Sequence, residues 1–297
     1  MSDQLPPAPP PPPDSNQPPY GQPGSPYGQQ PGYPQYPGGD VYGGLVTEPQ
    51  VQLDVHGLRP QKRWTVLIRL ILVIPQAIIM YFLFLAGFFA LIVAWFAALF
   101  TGSVPDGIRE FLIGIVKYHA RVVGYAFLLV DEYPPFAFFD APDYPIQIEV
   151  PPATRLNPAA VFFRIILVIP AWIIAGVVMD GAAIVAFFVW VIMLFTGRQP
   201  EPAFGATSAV VRYSMRTTAY FGLLTPTYPK QLFGEVPTSN DRRSLTRPMS
   251  LSSGARVLLI VMIVLGVIAW IFSGAENSNS NWNDDSSRPA HTISQSR

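Results

Sequence analysis

Residues 69–79 read RLILVIPQAII and residues 164–174 read RIILVIPAWII, one segment written twice, 95 positions apart. Sliding the chain over itself by that offset, without a gap, lays Val51 to Pro134 on Ile146 to Pro229. About 25 of roughly 84 pairs are then identical, far beyond chance even for an apolar stretch. VQLDV at 51 meets IQIEV at 146, and Trp95 with LFTG at 99 meets Trp190 with LFTG at 194. Pro105, Tyr118, Arg121, Tyr125, Leu128, Leu129, Tyr133 and Pro134 recur as Pro200, Tyr213, Arg216, Tyr220, Leu223, Leu224, Tyr228 and Pro229. The chain carries an internal duplication, and its two copies are expected to share one fold.

The composition says where that fold lives. Half of the 297 residues are hydrophobic and only 13% are charged, against about 25% in an ordinary soluble domain. The formal net charge of zero removes any bulk electrostatic argument for nucleic acid. With no cysteine, disulfides, thiolate nucleophiles, Cys-type zinc sites and Cys-anchored lipids are excluded together. The opening MSDQLPPAPPPPP lacks the basic-then-apolar pattern of a secretory signal, so membrane insertion is expected to be directed by internal apolar segments.

Each copy opens with an alternating segment, Val51, Leu53 and Val55 against Gln52 and Asp54, repeated as Ile146, Ile148 and Val150. Alternation of this kind marks a half-buried strand, and two short strands at equivalent positions are expected to pair. An apolar run follows, Trp64 to Phe100 in one copy and Ala159 to Phe195 in the other. A single helix of that length would reach about 55 Å, well past a hydrocarbon core of about 30 Å. Asp180 and Gly181 stand near the midpoint of the second run, where a hairpin turn would keep the carboxylate in the headgroups. Two helical hairpins are therefore expected, turning near Leu85 to Gly87 and near Asp180 to Ala182.

After each LFTG comes an amphipathic stretch, 105–130 and 200–224, expected to lie along the membrane surface. Ser103 and Asp106 resemble a capping box at the start of the first. The run Val257 to Phe272 after Arg256 reads as a last span. The predicted fold is an all-α membrane protein: two tandem repeats, each a transmembrane helical hairpin plus an amphipathic interfacial helix and a short β-strand, then one C-terminal transmembrane helix. Its divisions are a disordered Pro/Gly/Tyr/Gln-rich cytoplasmic tail over 1–45, repeats over 46–140 and 141–232, a linker over 233–255, the last span over 256–273, and a disordered polar tail over 274–297. Most Lys and Arg residues lie in the connecting segments, so a multi-pass cell-membrane protein is expected, with the N-terminus cytoplasmic and the C-terminus outside.

Candidate sites are few. Arg69 and Arg164 stand one turn inside the first helix of each copy, where a guanidinium fork could hold a lipid phosphate or snorkel to the interface. Tyr118, Arg121 and Tyr125 share a helical face, as do Tyr213, Arg216 and Tyr220. A cation between two phenols could cradle an anionic headgroup, or the aromatics could pack on the neighbouring helices. Pro75 and Pro170 sit inside the first helix of each hairpin and are expected to shape packing. His56, His119 and His291 show no metal-ligand spacing, and no nucleophile motif or phosphate loop is present. No catalytic residue, cofactor or metal is expected. The expected partners are the lipid bilayer, anionic lipids, and a cytoplasmic protein that binds the Pro-rich tail.

An Arg before ILVIP, then a Trp with LFTG, a Pro three residues on, an Arg with flanking tyrosines, and a closing Tyr133-Pro134-Pro135-Phe136 form an ordered set. It resembles the bacterial membrane-protein family catalogued as domain of unknown function 4389, whose members often carry the domain twice. The resemblance covers about residues 50–232 and implies the architecture, with no substrate attached. Copy two departs from it at Thr227-Tyr228-Pro229-Lys230, where the double proline is missing.

Overall fold

The computed structural model describes residues 50–56, 58–235 and 249–286, together with 41–42, 45–46 and 246. The proline-rich tail therefore lies outside the described residues except at its end, where β1 (Val41–Tyr42) and β2 (Leu45–Val46) form a small antiparallel ladder. The remaining elements are β3 (Gln52–Val55), α1 (Arg63–Thr101), α2 (Asp106–Ala126), β4 (Ile146–Glu149), α3 (Pro158–Thr196), α4 (Glu201–Phe221) and α5 (Ser253–Ser286).

The hairpins are not there. Each long apolar run is one continuous helix of 39 residues, about 58 Å at 1.5 Å per residue. A reversal needs a breaker, and a lone glycine in an apolar helix costs only about 1 kcal/mol against alanine. Gly87 and Gly181 serve close packing instead: a Cβ on Gly87 would fall 2.6 Å from Ile115, and one on Gly181 would fall 1.7 Å from the Met262 carbonyl oxygen. Asp180 stays mid-helix and its carboxylate accepts from the Trp270 indole N–H at 2.7 Å. Pro75 and Pro170 are taken up inside α1 and α3 without ending either. Among the described residues, three helices are thus long and apolar enough to cross a membrane: α1, α3, and the Ser253–Ser273 part of α5. The expected five crossings fall to three candidates. α5 also runs on to Ser286, into the segment expected to be disordered.

LFTG proves to be a helix stop. Gly102 and Gly197 take left-handed φ of 73° and 68°, a conformation open to glycine at little cost. The hydroxyls of Thr101 and Thr196 turn back onto the carbonyls of Ala97 and Ile192 and accept from the N–H two residues on. α2 and α4 begin after Pro105 and Pro200. Ser103 pairs with Thr101 instead of capping, so the expected capping box does not form.

The two copies are related by a twofold, and the relation is legible bond by bond. Trp95 donates to the Val161 carbonyl at 3.1 Å, and Trp190, its equivalent, donates to the Val66 carbonyl at 2.7 Å. The Leu156 N–H binds the Gly102 carbonyl and the Gln61 N–H binds the Gly197 carbonyl. These reciprocal pairs set α1 and α3 antiparallel, each end of one against the opposite end of the other. β3 and β4 pair antiparallel, and the equivalent residues Leu53 and Ile148 face each other, which places the axis between them. The expected strand pairing forms.

Three layers stack along that axis. α1 and α3 form the first, with α5 beside α3. α2 and α4 pack on them, α2 with Ile115 over Gly87 and Tyr118 donating its hydroxyl to Gln76. The β3–β4 pair forms the third, its buried face of Leu53, Val55, Ile146 and Ile148 turned to α2 and α4. The strands are exchanged. Ile146 of copy two packs over Gly124 of α2 in copy one, while Val51 of copy one accepts from Arg216 of α4 in copy two.

Candidate functional site: the buried arginines of the two repeats

Arg69 projects from α1 into the gap where the chain turns after α2. Only 1% of the residue is exposed. Its Nη1 donates to the carbonyls of Tyr125 (2.8 Å) and Val130 (3.0 Å), its Nη2 to Gln61 (2.8 Å), and the cation lies 4.4 Å from the Tyr125 ring centroid. Asp131 stands 3.5 Å away and also accepts from the Thr65 hydroxyl. Arg164 repeats the core of this arrangement: the carbonyls of Tyr220 (2.7 Å) and Thr225 (3.2 Å), and the Tyr220 ring at 4.3 Å. α2 and α4 both end through a leucine with positive φ, Leu128 at 66° and Leu223 at 60°. The Tyr125 and Tyr220 carbonyls accept the N–H of these leucines at 3.1 and 3.2 Å, and the arginine adds a second bond to each, as the two lone pairs of a carbonyl allow.

Arg121 and Arg216 work one layer further out. Arg121 donates to the carbonyls of Ala137 and Phe139 and holds the loop after YPPF against α2. Arg216 donates to the carbonyls of Val51 and Lys230 and to the Glu235 carboxylate at 2.6 Å, which Arg212 also reaches at 3.0 Å. Burial lowers the pKa of Arg121 and of Arg216, and burial together with the neighbouring Arg216 brings Arg212 down to about 9. Burial alone would raise Glu235, but the two guanidiniums outweigh it and hold its carboxyl below the ordinary value. Tyr118, Tyr125, Tyr213 and Tyr220 are buried beside these arginines, and burial raises the phenol of Tyr213 to about 12.

All eight expected headgroup residues are thus brought into two equivalent clusters, four to a copy, and all are turned inward. Arg69, Arg164, Arg121 and Arg216 are each no more than 3% exposed and each donates to protein carbonyls, while the Nε of Arg69, Arg121 and Arg164 is buried without a hydrogen-bond partner among the described residues. A fork of five donors can tie helix ends and loop carbonyls together as well as it can bind phosphate. Sequence reasoning missed Gln61, Gln76, Asp131, Arg212 and Glu235. One signal was available, since Lys117 and Asp140 recur 95 positions on as Arg212 and Glu235, and both pairs form ion pairs. Among the described residues no group of three or more His, Cys, Asp or Glu side chains could hold a metal ion.

The sequence profile of the family described as Domain of unknown function (DUF4389) matches residues 63–137 and 158–232. The chain belongs to this family. The two matched stretches are α1 with α2 and α3 with α4, so each DUF4389 copy is one long apolar helix with the helix that returns over it and the arginine that ties them. The exchanged strands lie outside both matches. No curated protein and no solved structure matches the chain.

Proposed function

We propose that this DUF4389 protein is a non-enzymatic structural protein of the bacterial cell membrane that organises lipid around an apolar platform. One observation carries the reading: α1, α3 and α5 expose a continuous set of large apolar side chains, from Leu67, Ile78 and Phe96 on α1 to Ile166 and Phe187 on α3 and Ile260 on α5. An exposed apolar surface of that extent is expected only against lipid or a partner. The basic connecting segments are assigned to the cytoplasm, where the Pro-rich tail is available to a cytoplasmic partner.

Transport of a small or lipidic molecule is the competing reading. What disfavours it is that the buried arginines of both repeats donate to protein carbonyls. They line neither the cleft between the β3–β4 sheet and α2 nor the cleft beside the start of α2, whose arginine is Arg109. Reconstitution into vesicles separates the two. The structural reading expects a trapped small anionic dye to be retained while the order of a spin-labelled lipid changes with the protein-to-lipid ratio. Dye release with no change in lipid order would favour transport.

A further inference from the structure

We propose that the α1–α3–α5 layer lies flat in one leaflet, so that the repeat axis runs along the membrane normal and the β3–β4 sheet faces the cytoplasm. The inference rests on the membrane reading above and specifies how the chain meets the bilayer. Its source is the position of the polar groups relative to the long helices.

The reciprocal bonds of Trp95 to Val161 and of Trp190 to Val66 centre α1 on α3. One axis relates the copies, so the Leu53–Ile148 pair of the sheet stands over the midpoint of both helices. The outer face of that sheet carries Gln52, Asp54, Gln147 and Glu149, and the Lys117–Asp140 ion pair lies close by, with Asp140 76% exposed. If α1 and α3 crossed the bilayer end to end, this group would sit at its centre, where each charge is costly. Lying flat, it faces water.

Length agrees. A helix of about 58 Å exceeds a core of about 30 Å, and no Lys, Arg, Asp or Glu interrupts α1 between Arg69 and its end, so an upright α1 has no polar band at which to leave the core. Along the leaflet plane the length is not constrained. The exposed side chains of α1 fall on one half of its circumference, opposite the stripe of Arg69, Gln76, Met80, Gly87 and Ala94 that meets the other helices. That half is available to lipid along the whole length of the helix, from Leu67 to Phe100. α5 follows α3 through the Gly181 and Gly266 contacts, and its first turn meets α4 where Gly254 lies on Pro202 and Ala255 on Gly205. In this orientation the Ser253–Ser273 part of α5 runs along the leaflet with the other two helices.

The test is a depth profile in nanodiscs of bacterial phospholipid, made on the full chain, in which the lack of cysteine allows single labels. Nitroxides at Leu67→Cys, Ile78→Cys, Leu85→Cys, Ile92→Cys and Phe96→Cys follow one exposed line of α1, and the ratio of oxygen to nickel-chelate accessibility reports depth. A flat profile, with all five sites shielded from nickel to a similar degree, is the expected result. A profile that peaks at Leu85 and falls severalfold toward both ends would overturn the flat orientation while leaving the membrane reading intact. Free access of nickel to all five would remove the membrane reading itself.

Discussion

Arg69 and Arg164 occupy equivalent positions and solve the same problem with different company. Both bind the same two carbonyls and the same tyrosine face, but copy one adds Gln61 and Asp131, while copy two has Leu156 and Pro226 at those positions. The shared part is the tie between the long helix and the turn that ends its partner. Side-chain partners are an elaboration of one copy, and a buried cation can stand on carbonyl dipoles and an aromatic face alone.

That contrast is sharpest under substitution. Arg69→Met leaves the Gln61 carbonyl oxygen without its donor and Asp131 without its cation, with Thr65 and the Lys62 N–H remaining, and is expected to cost about 3–5 kcal/mol, the range for breaking a buried ion pair. Arg164→Met loses two carbonyl bonds and the ring contact, about 2–3 kcal/mol. Unfolding of both variants in mild detergent measures the difference, and equal losses would show that the side-chain partners add nothing.

The second contrast is Gly181 with its equivalent, Ala86. A side chain on Gly181 meets the Met262 carbonyl, so Gly181→Val is expected to cost about 3 kcal/mol and to part α5 from α3. Ala86 is exposed, and Ala86→Val should stay within about 0.5 kcal/mol. Protease sensitivity of the segment before α5 reads the separation.

Next in size is the outer ion pair. Glu235 sits between two buried guanidiniums, whereas its equivalent Asp140 is largely exposed beside Lys117. Glu235→Gln is expected to cost about 2 kcal/mol at neutral pH, against under about 0.5 kcal/mol for Asp140→Asn. The folded protein holds the Glu235 carboxyl below its ordinary value of 4.5, so the unfolded chain binds its proton first as pH falls. The contribution is present above about 4.5 and is lost below it. The stability profile of Glu235→Gln should therefore lose part of its acid slope.

The smallest effect is a volume exchange. Gly87 lies under Ile115, and the equivalent pair in copy two is Ala182 with Val210. Gly87→Ala alone should cost about 1 kcal/mol through overpacking, and Ile115→Val with it should restore stability to within a few tenths. A double variant no better than the single one would show that the copies do not share this packing.

The same comparison of copies explains what could be read in advance. Periodicity marked β3, β4 and the helices α2 and α4, and the 95-residue offset fixed the equivalence of the two arginines, because these are properties of local pattern. The reversal expected at Asp180 failed because the residue that makes a mid-helix carboxylate tolerable, Trp270, lies 90 positions away on another helix. The burial of Arg69 was hidden for a related reason: an exposed and a buried arginine have the same spacing from their neighbours in sequence, and only the turn at Leu128 decides which carbonyls are there to be bound. Even so, the exchange of strands between copies had a trace, since Arg216 and Val51 belong to motifs that the repeat had already marked.

The continuity of α1 is the claim on which the twofold, the layering and the placement of both arginines depend. A distance between nitroxides at Trp64→Cys and Phe100→Cys, both exposed in the wild-type chain, measures it directly by pulsed electron resonance. An unbroken helix predicts about 54 Å between the two backbone positions. A separation near 10 Å, the spacing of two packed helices, would restore the hairpin and contradict the account.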